Sequence, residues 1–406
     1  MPQRTVADPR DIDSLNLADP STHAEYDLSD VWKWLRRNRP VYWHRAIGSS
    51  PGFWVVSRHK DVSDIYADRR FTSEKGNVIQ TLLGGGDSAA GMMAAVTDGP
   101  RHSEIRSIIM RGFSPRSLQG ISNSLQKKIG ELLAKAMEIG QVNFSREVAS
   151  NIPLIAVCEL MNVPESDREY ILSLAKTTMT SDRHQTPAEA WRAKNDVLAY
   201  FEKLADSRRK NPGTDVVSAL TQGAIEGKPL TTDEIVVNCY SLILGGDHST
   251  RAAISGAVLA LIENPSQWSL LKSDGVEVAS AVEEVLRWTT PAMHFGRCAR
   301  EDVSIAGQTI RRGDIVTLWN SSANKDEAVF DDPDQFILSR ASNRNVAFGH
   351  GPHFCLGAYL ARAEIAVMLT ELKAHVKDMR LAGPVIWEYS TIVNGISDLP
   401  VVLSAA

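Results

Sequence analysis

The 406-residue sequence has no apolar run approaching the roughly 20 residues that cross a bilayer, and its first residues, MPQRTVADPRDID, lack the apolar core of a secretion signal. No membrane association and a cytoplasmic location are expected. Cysteine is scarce: Cys158, Cys239, Cys298 and Cys355 lie far apart and form no C-x-x-C pair, which argues against a disulfide framework and a structural zinc site. Excess positive charge is also missing, since 44 Lys and Arg stand against 49 Asp and Glu for a net charge of -5. Nucleic acid is therefore not an expected partner. The sequence contains no flavin-type glycine-rich motif, no cysteine cluster for iron and sulfur, no internal repeat and no flexible linker.

What is present is a mainly helical pattern with a few strands. VYWH and FWVVS, between Val41 and Ser57, are aromatic and β-branched and flank the turn-forming AIGSSPG, which predicts a hairpin. DVSIAGQTIRRGDIVTL, from Asp302 to Leu318, alternates in the same way and predicts short antiparallel strands. Between Phe71 and Thr97 a triple glycine and weak periodicity predict a long, mobile loop rather than a regular element. Helical patterns then run to about Trp288. One of them, Thr232 to Asn264 before Pro265, would span roughly 48 Å at 1.5 Å per residue, and Thr231 with Glu234 fits a capping box at its start. Leu356, Leu360, Ala363 and Val367 put one apolar stripe on a last long helix.

A glycine-rich turn, Phe348-Gly349-His350-Gly351-Pro352-His353-Phe354-Cys355-Leu356-Gly357, feeds that last helix. Cys158, Cys239 and Cys298 sit in apolar surroundings and read as small buried hydrophobes. Cys355 stands at a helix N-terminus, where backbone N–H groups and the helix dipole favour a thiolate and lower its pKa. Flanking glycines leave space for a flat ligand. A metal-binding thiolate and a cysteine nucleophile are the two functional readings.

The stretch resembles the haem-binding loop of the cytochromes P450, matching at Phe348, Gly349, Gly351, His353, Cys355 and Gly357. The resemblance implies that Cys355 is the proximal ligand to the iron of haem b, that Phe348 packs on the sulfur side of the ring, and that His353 reaches a propionate. Glu284-Val285-Leu286-Arg287 by itself reads as a solvated ion pair on a helix face; in the family it joins a later arginine, here Arg340, in a structural network. Asp98-Gly99-Pro100-Arg101-His102-Ser103-Glu104-Ile105-Arg106 resembles the segment whose histidine and arginine grip a propionate, and Arg297 matches a further propionate ligand. Leu244-Gly245-Gly246-Asp247-His248-Ser249-Thr250 matches the oxygen-binding groove, with Gly246 facing the cofactor, but has His248 and Ser249 where the family more often has an acid and a threonine. His248 and Ser249 are the expected proton relay, with Asp247 or Thr250 substituting if the register shifts.

The resemblance covers nearly the whole chain and implies one domain, 1–406, mainly α with a small β-rich lobe. The β-rich parts fall near 41–75 and 300–320, the helical core at 100–290 and 356–376, and the haem lies between the long helix and the cysteine-bearing helix. The implied activity is a haem-thiolate monooxygenase that puts one atom of O2 into a hydrophobic small molecule, by hydroxylation or epoxidation, as a tailoring step of secondary metabolism. The substrate can be free or tethered to a carrier protein. Electrons from NAD(P)H would arrive through a separate ferredoxin or flavodoxin and its reductase, docking on a basic face that includes Arg106, Arg111, Arg116, Arg344 and Arg362. Met92, Met93, Leu242, Met293, Phe295 and Ile396 are the expected pocket residues. Two rivals stand beside this reading: peroxide-driven oxidation or oxidative coupling on the same haem, and a non-catalytic haem sensor or recruitment module.

Overall fold

A computed structural model describes residues 4–6, 8–48, 51–179 and 186–405. The predicted hairpin forms from β1 (Val41–His44) and β2 (Phe53–Val56), antiparallel with Trp43 opposite Trp54 and their rings 5.1 Å apart. Three further strands complete a sheet: β3 (Phe71–Thr72), β4 (His294–Ala299) and β5 (Ile315–Trp319), in the order β1-β2-β5-β4-β3. β5 runs parallel to β2 and antiparallel to β4, with Trp319 opposite His294. The predicted strands of 302–318 thus divide. Val303–Ile305 and Gln308–Ile310 make a separate antiparallel pair, while β5 joins the main sheet.

Five helices position the site: α1 (Gly99–Met110), α2 (Ile152–Leu160), α3 (Thr232–Glu263), α4 (Val278–Thr289) and α5 (Ala358–His375). The capping box of α3 is present as read, with Thr231 Oγ1 accepting the Glu234 N–H and Glu234 Oε2 accepting the Thr231 N–H. Asn264 ends the helix because the ring of Pro265 cannot continue it, and Pro265 opens the next helix instead. α3 packs on α2, α4 and α5 through a shared apolar cluster that includes Ile243, Ile254, Val285, Leu286, Leu360 and Ile365.

Glu284 and Arg287 of α4 are both 0% exposed, so the solvated pair is excluded. Glu284 Oε1 accepts from Arg287 Nη2 at 2.7 Å and from the Ile337 N–H at 2.8 Å. Its Oε2 accepts from Arg287 Nε, Arg340 Nε and Asn343 Nδ2 at 2.8, 3.0 and 3.0 Å. Arg287 and Arg340 spend their remaining N–H groups on backbone carbonyls between Asn324 and Gln335. A buried carboxylate so fully satisfied ties the segment before the cysteine loop to α4, and breaking such a group typically costs about 3–5 kcal/mol.

The stretch from Phe71 to Thr97 differs from its expectation. It contains β3, a helix over Ile79–Leu83 and a 3-10 turn over Ala94–Val96, and Ile79 and Val96 are fully buried. The rest of the stretch is turns and irregular backbone, as expected, with Gly85 and Gly86 at φ of +96° and +133°. Local periodicity is weak because the segment is held by side chains from elsewhere in the chain.

Candidate functional site

The loop before α5 folds around two left-handed glycines, Gly349 (φ +69°) and Gly351 (φ +71°). A Cβ on Gly351 would lie 2.8 Å from the Tyr66 carbonyl. These glycines therefore serve the turn and its packing on Tyr66. Gly357 serves differently: its N–H points at the sulfur, and a Cβ there would meet only Cys355 Sγ, at 3.9 Å. The Cys355 N–H donates to the Phe348 carbonyl at 3.0 Å, which closes the loop. Arg362 covers the Phe348 ring at 4.6 Å and pairs with Glu283.

Cys355 precedes the first residue of α5 by three positions. Burial pushes its thiol above the ordinary value, against the opposing pull of the Gly357 N–H, Arg106 and Arg362. The lowered pKa expected from a helix N-terminus is thus overturned by desolvation. A metal cation held there would add counter-charge to that of Arg106 and Arg362.

The expected propionate ligands come together, with one change. Arg297 on β4 is 4% exposed, makes a single hydrogen bond, to the Gly296 carbonyl, and lies over the Tyr66 ring at 5.3 Å. Tyr66 is itself fixed by its hydroxyl on Asn320. Arg106 on α1 is half-buried and feels the charge of Cys355. Neither arginine forms an ion pair with a described residue. Burial lowers the pKa of both, the direction expected of a cation awaiting an anion. His102 is buried and stacked on His353 with centroids 4.2 Å apart, and burial, with His353 and Arg106 beside it, pushes it down to about 4. His353 is the exception: its Nε2 meets Asp98 Oδ1 at 2.8 Å. Asp98 also accepts from Thr72, Ser73 and Arg300, and although burial opposes, these partners hold it well below the usual carboxylate range. The two unpaired guanidiniums and the lone thiol fit a flat group carrying a metal and two carboxylates.

On α3 the two glycines part company. A Cβ on Gly245 would meet nothing within 4 Å, while one on Gly246 would fall 2.4 Å from Val157 Cγ2 of α2. Gly246 is therefore a helix-packing glycine and Gly245 faces the open side, reversing the expectation for Gly246. Ser249, one turn on from Gly245, shares that side and hydrogen-bonds the Gly245 carbonyl at 3.2 Å. Thr250 lies one turn on from Gly246, away from the side that Gly245 and Ser249 share, and is buried. Asp247 and His248 are also buried, and burial holds His248 neutral, down to about 3.

The segments that carry the expected pocket residues are stitched together. Asn238 of α3 accepts from the Ala94 N–H and donates to the Met92 carbonyl, at 2.9 and 2.8 Å. Asn77 binds the Ala95 carbonyl and accepts the Gly296 N–H at its own carbonyl. The Met293 N–H donates to the Ile392 carbonyl, and the Asn394 N–H to that of Pro291. Arg251 of α3 pairs with Glu388. Met92, Met93, Leu242 and Phe295 remain partly accessible. Met293 and Ile396 instead pack into apolar clusters at 7% and 2% exposure, so they read as core. Of the proposed basic face, Arg111, Arg116 and Arg344 are exposed, whereas Arg362 pairs with Glu283 and Arg106 is half-buried. Sequence reasoning missed Asn77, Asn238, Arg251, Arg300 and Glu388, whose partners lie far along the chain; for Asp98, the motif it opens was a usable signal.

Comparison with known proteins agrees with this geometry. The Cytochrome P450 family model matches residues 278–373, from α4 through Cys355 into α5. Cytochrome P450 NovI of Streptomyces niveus is 45% identical over 403 residues, 99% of each chain. A steroid C26-monooxygenase of Rhodococcus jostii is 30% identical, covering 98% of this chain and 87% of its own length. The crystal structure of P450 OxyD, involved in the biosynthesis of vancomycin-type antibiotics, superposes with a TM-score of 0.89 at 32% identity, over 97% of this chain and 100% of that one. Among the described residues no helix is long and apolar enough to cross a membrane.

Proposed function

The chain belongs to the cytochrome P450 family and is a monooxygenase of that family, and from this we propose that it inserts one oxygen atom into a hydrophobic small molecule as a tailoring step of secondary metabolism, by hydroxylation or epoxidation. The observation that carries the reading is Cys355 with two guanidiniums, Arg106 and Arg297, that form no ion pair with a described residue. The tailoring role is supported by the likeness to OxyD, which is involved in the biosynthesis of vancomycin-type antibiotics.

Cys355 would hold the iron, and Arg297, Arg106 and His102 would hold the two propionates, Arg297 kept in place by Tyr66. Thiolate-ligated haem supplies dioxygen activation, with electron density that favours O–O cleavage. Ser249 would present its hydroxyl on the open side of α3, and His248 and Asp247 would hold protons beside it. The stitched segments would keep bulk water from the apolar substrate. Electrons from NAD(P)H would come through a separate ferredoxin or flavodoxin and its reductase, and the exposed Arg111, Arg116 and Arg344 would meet an acidic donor.

The test is spectroscopic. The reduced protein with carbon monoxide should give a strongly red-shifted Soret band that Cys355→Ser loses. A neutral-ligand spectrum in folded wild-type protein would defeat the reading and promote the non-catalytic rival.

A further inference from the structure

Glu388 stands in the C-terminal hairpin, far along the chain from α3, yet its side chain is only 5% exposed beside that helix. One carboxylate oxygen pairs with Arg251 at 2.5 Å. The other, Oε2, is buried with no hydrogen-bond partner among the described residues and lies 4.0 Å from His248 Nδ1. Gly395 makes the room, since a Cβ there would fall 2.7 Å from the Glu388 carboxyl carbon, and the Glu388 N–H is tied to the Gly395 carbonyl. The other ring nitrogen of His248 lies 3.7 Å from Asp247 Oδ2. A hydrogen bond needs about 2.9 Å, so a movement of roughly 1 Å closes either contact.

We propose that Glu388 is the positioning acid for His248, so that a histidine on α3 and a carboxylate from the C-terminal hairpin together stand where a single acidic side chain would otherwise serve. This rests on the oxygen-inserting reading above. A carboxylate only accepts and a neutral imidazole carries one N–H, so the ring can donate to Glu388 or to Asp247 but not to both, and the hydrogen goes to the Glu388 side, where Arg251 anchors the carboxylate. Nδ1 then carries the hydrogen, and Nε2 keeps its lone pair on the Asp247 side, open to take a proton there. The charged groups around His248 are Asp247 and Arg251 on its own helix and Glu388 on the hairpin, and Asp247 in turn raises the proton affinity of Glu364 on α5, which burial already pushes up. Arg251 lowers the proton affinity of both His248 and Glu388, and burial raises that of Glu388.

The experiment is nitrogen NMR of histidine-labelled holoenzyme in its diamagnetic ferrous carbon monoxide form, assigned with His248→Asn. Wild type is expected to hold His248 as the Nδ1–H tautomer. Glu388→Gln, whose amide can donate to Nδ1, should move the hydrogen to Nε2, and Glu388→Asp should restore it. The share of reductant lost to peroxide should rise about threefold in Glu388→Gln and fall back in Glu388→Asp. An Nε2–H tautomer in wild type overturns the proposal whether or not the variants fold, as does an unchanged tautomer in Glu388→Gln. Either result with the red-shifted carbon monoxide band intact leaves the monooxygenase reading standing; loss of that band in wild type overturns both.

Discussion

Gly246 and Val157 meet so closely that a Cβ on the glycine would lie 2.4 Å from Val157 Cγ2, while the preceding Gly245 faces open space. Gly246→Ala should therefore overpack the α3–α2 contact and cost about 1–3 kcal/mol in chemical unfolding. Gly245→Ala should cost nothing and gain up to about 1 kcal/mol of helix propensity, yet alter the rate of carbon monoxide binding, because its methyl enters the open side. Equal unfolding midpoints for the two variants would contradict the assignment of faces.

Asn238 pins the Met92–Ala94 segment to α3 through both ends of its amide. Asn238→Ala removes two backbone partners, each worth about 1 kcal/mol. Ligands that shift the ferric spin state should bind roughly tenfold more weakly, and limited proteolysis should open the glycine-rich stretch near Gly85, with helix content unchanged by circular dichroism. Wild-type protease resistance in the variant would remove Asn238 as the clamp.

Arg297 is buried with a single hydrogen bond and no ion pair to a described residue. In haem-free protein Arg297→Leu should leave stability equal or raise it by about 1–3 kcal/mol, because an uncompensated charge is removed. Haem loss to a scavenger should become at least about tenfold faster, since two charge-assisted hydrogen bonds go with the guanidinium. Slower haem loss would place the propionates elsewhere.

His294 is fully buried behind β5, its ring 4.5 Å from Trp319. Burial, helped by His23 and opposed by the backbone of Thr391, pushes it down to about 3. The unfolded chain takes up a proton below about pH 6.5 that the fold refuses, so this histidine's contribution is intact above that pH and lost as the pH falls toward 3. Between about pH 7 and pH 5 His294→Gln should lessen the loss of unfolding free energy by about 2 kcal/mol. Parallel wild-type and variant pH profiles would show that His294 titrates normally.

The sequence by itself determined the elements whose signal is local. The Thr231–Glu234 box and Pro265 bound α3 because capping and ring sterics act within a few residues. The loop ending in Cys355 and the grouping of His102, Arg106 and Arg297 were legible for a different reason, a resemblance carried by whole motifs. The Glu284 network was legible only with that resemblance, since three-residue spacing cannot tell a solvated pair from one at 0% exposure.

Tertiary structure decided the rest. It sent Gly246 to α2 and Gly245 to the open side, gave His353 to Asp98, and folded the glycine-rich stretch after Phe71 against Asn77 and Asn238. It also brought Glu388 to His248 across 140 positions of chain. Each of these depends on which surfaces meet and how much water they exclude. Desolvation has no sequence period: it holds the Cys355 thiol up against the nearby N–H and arginines, and it leaves two guanidiniums without an ion pair among the described residues.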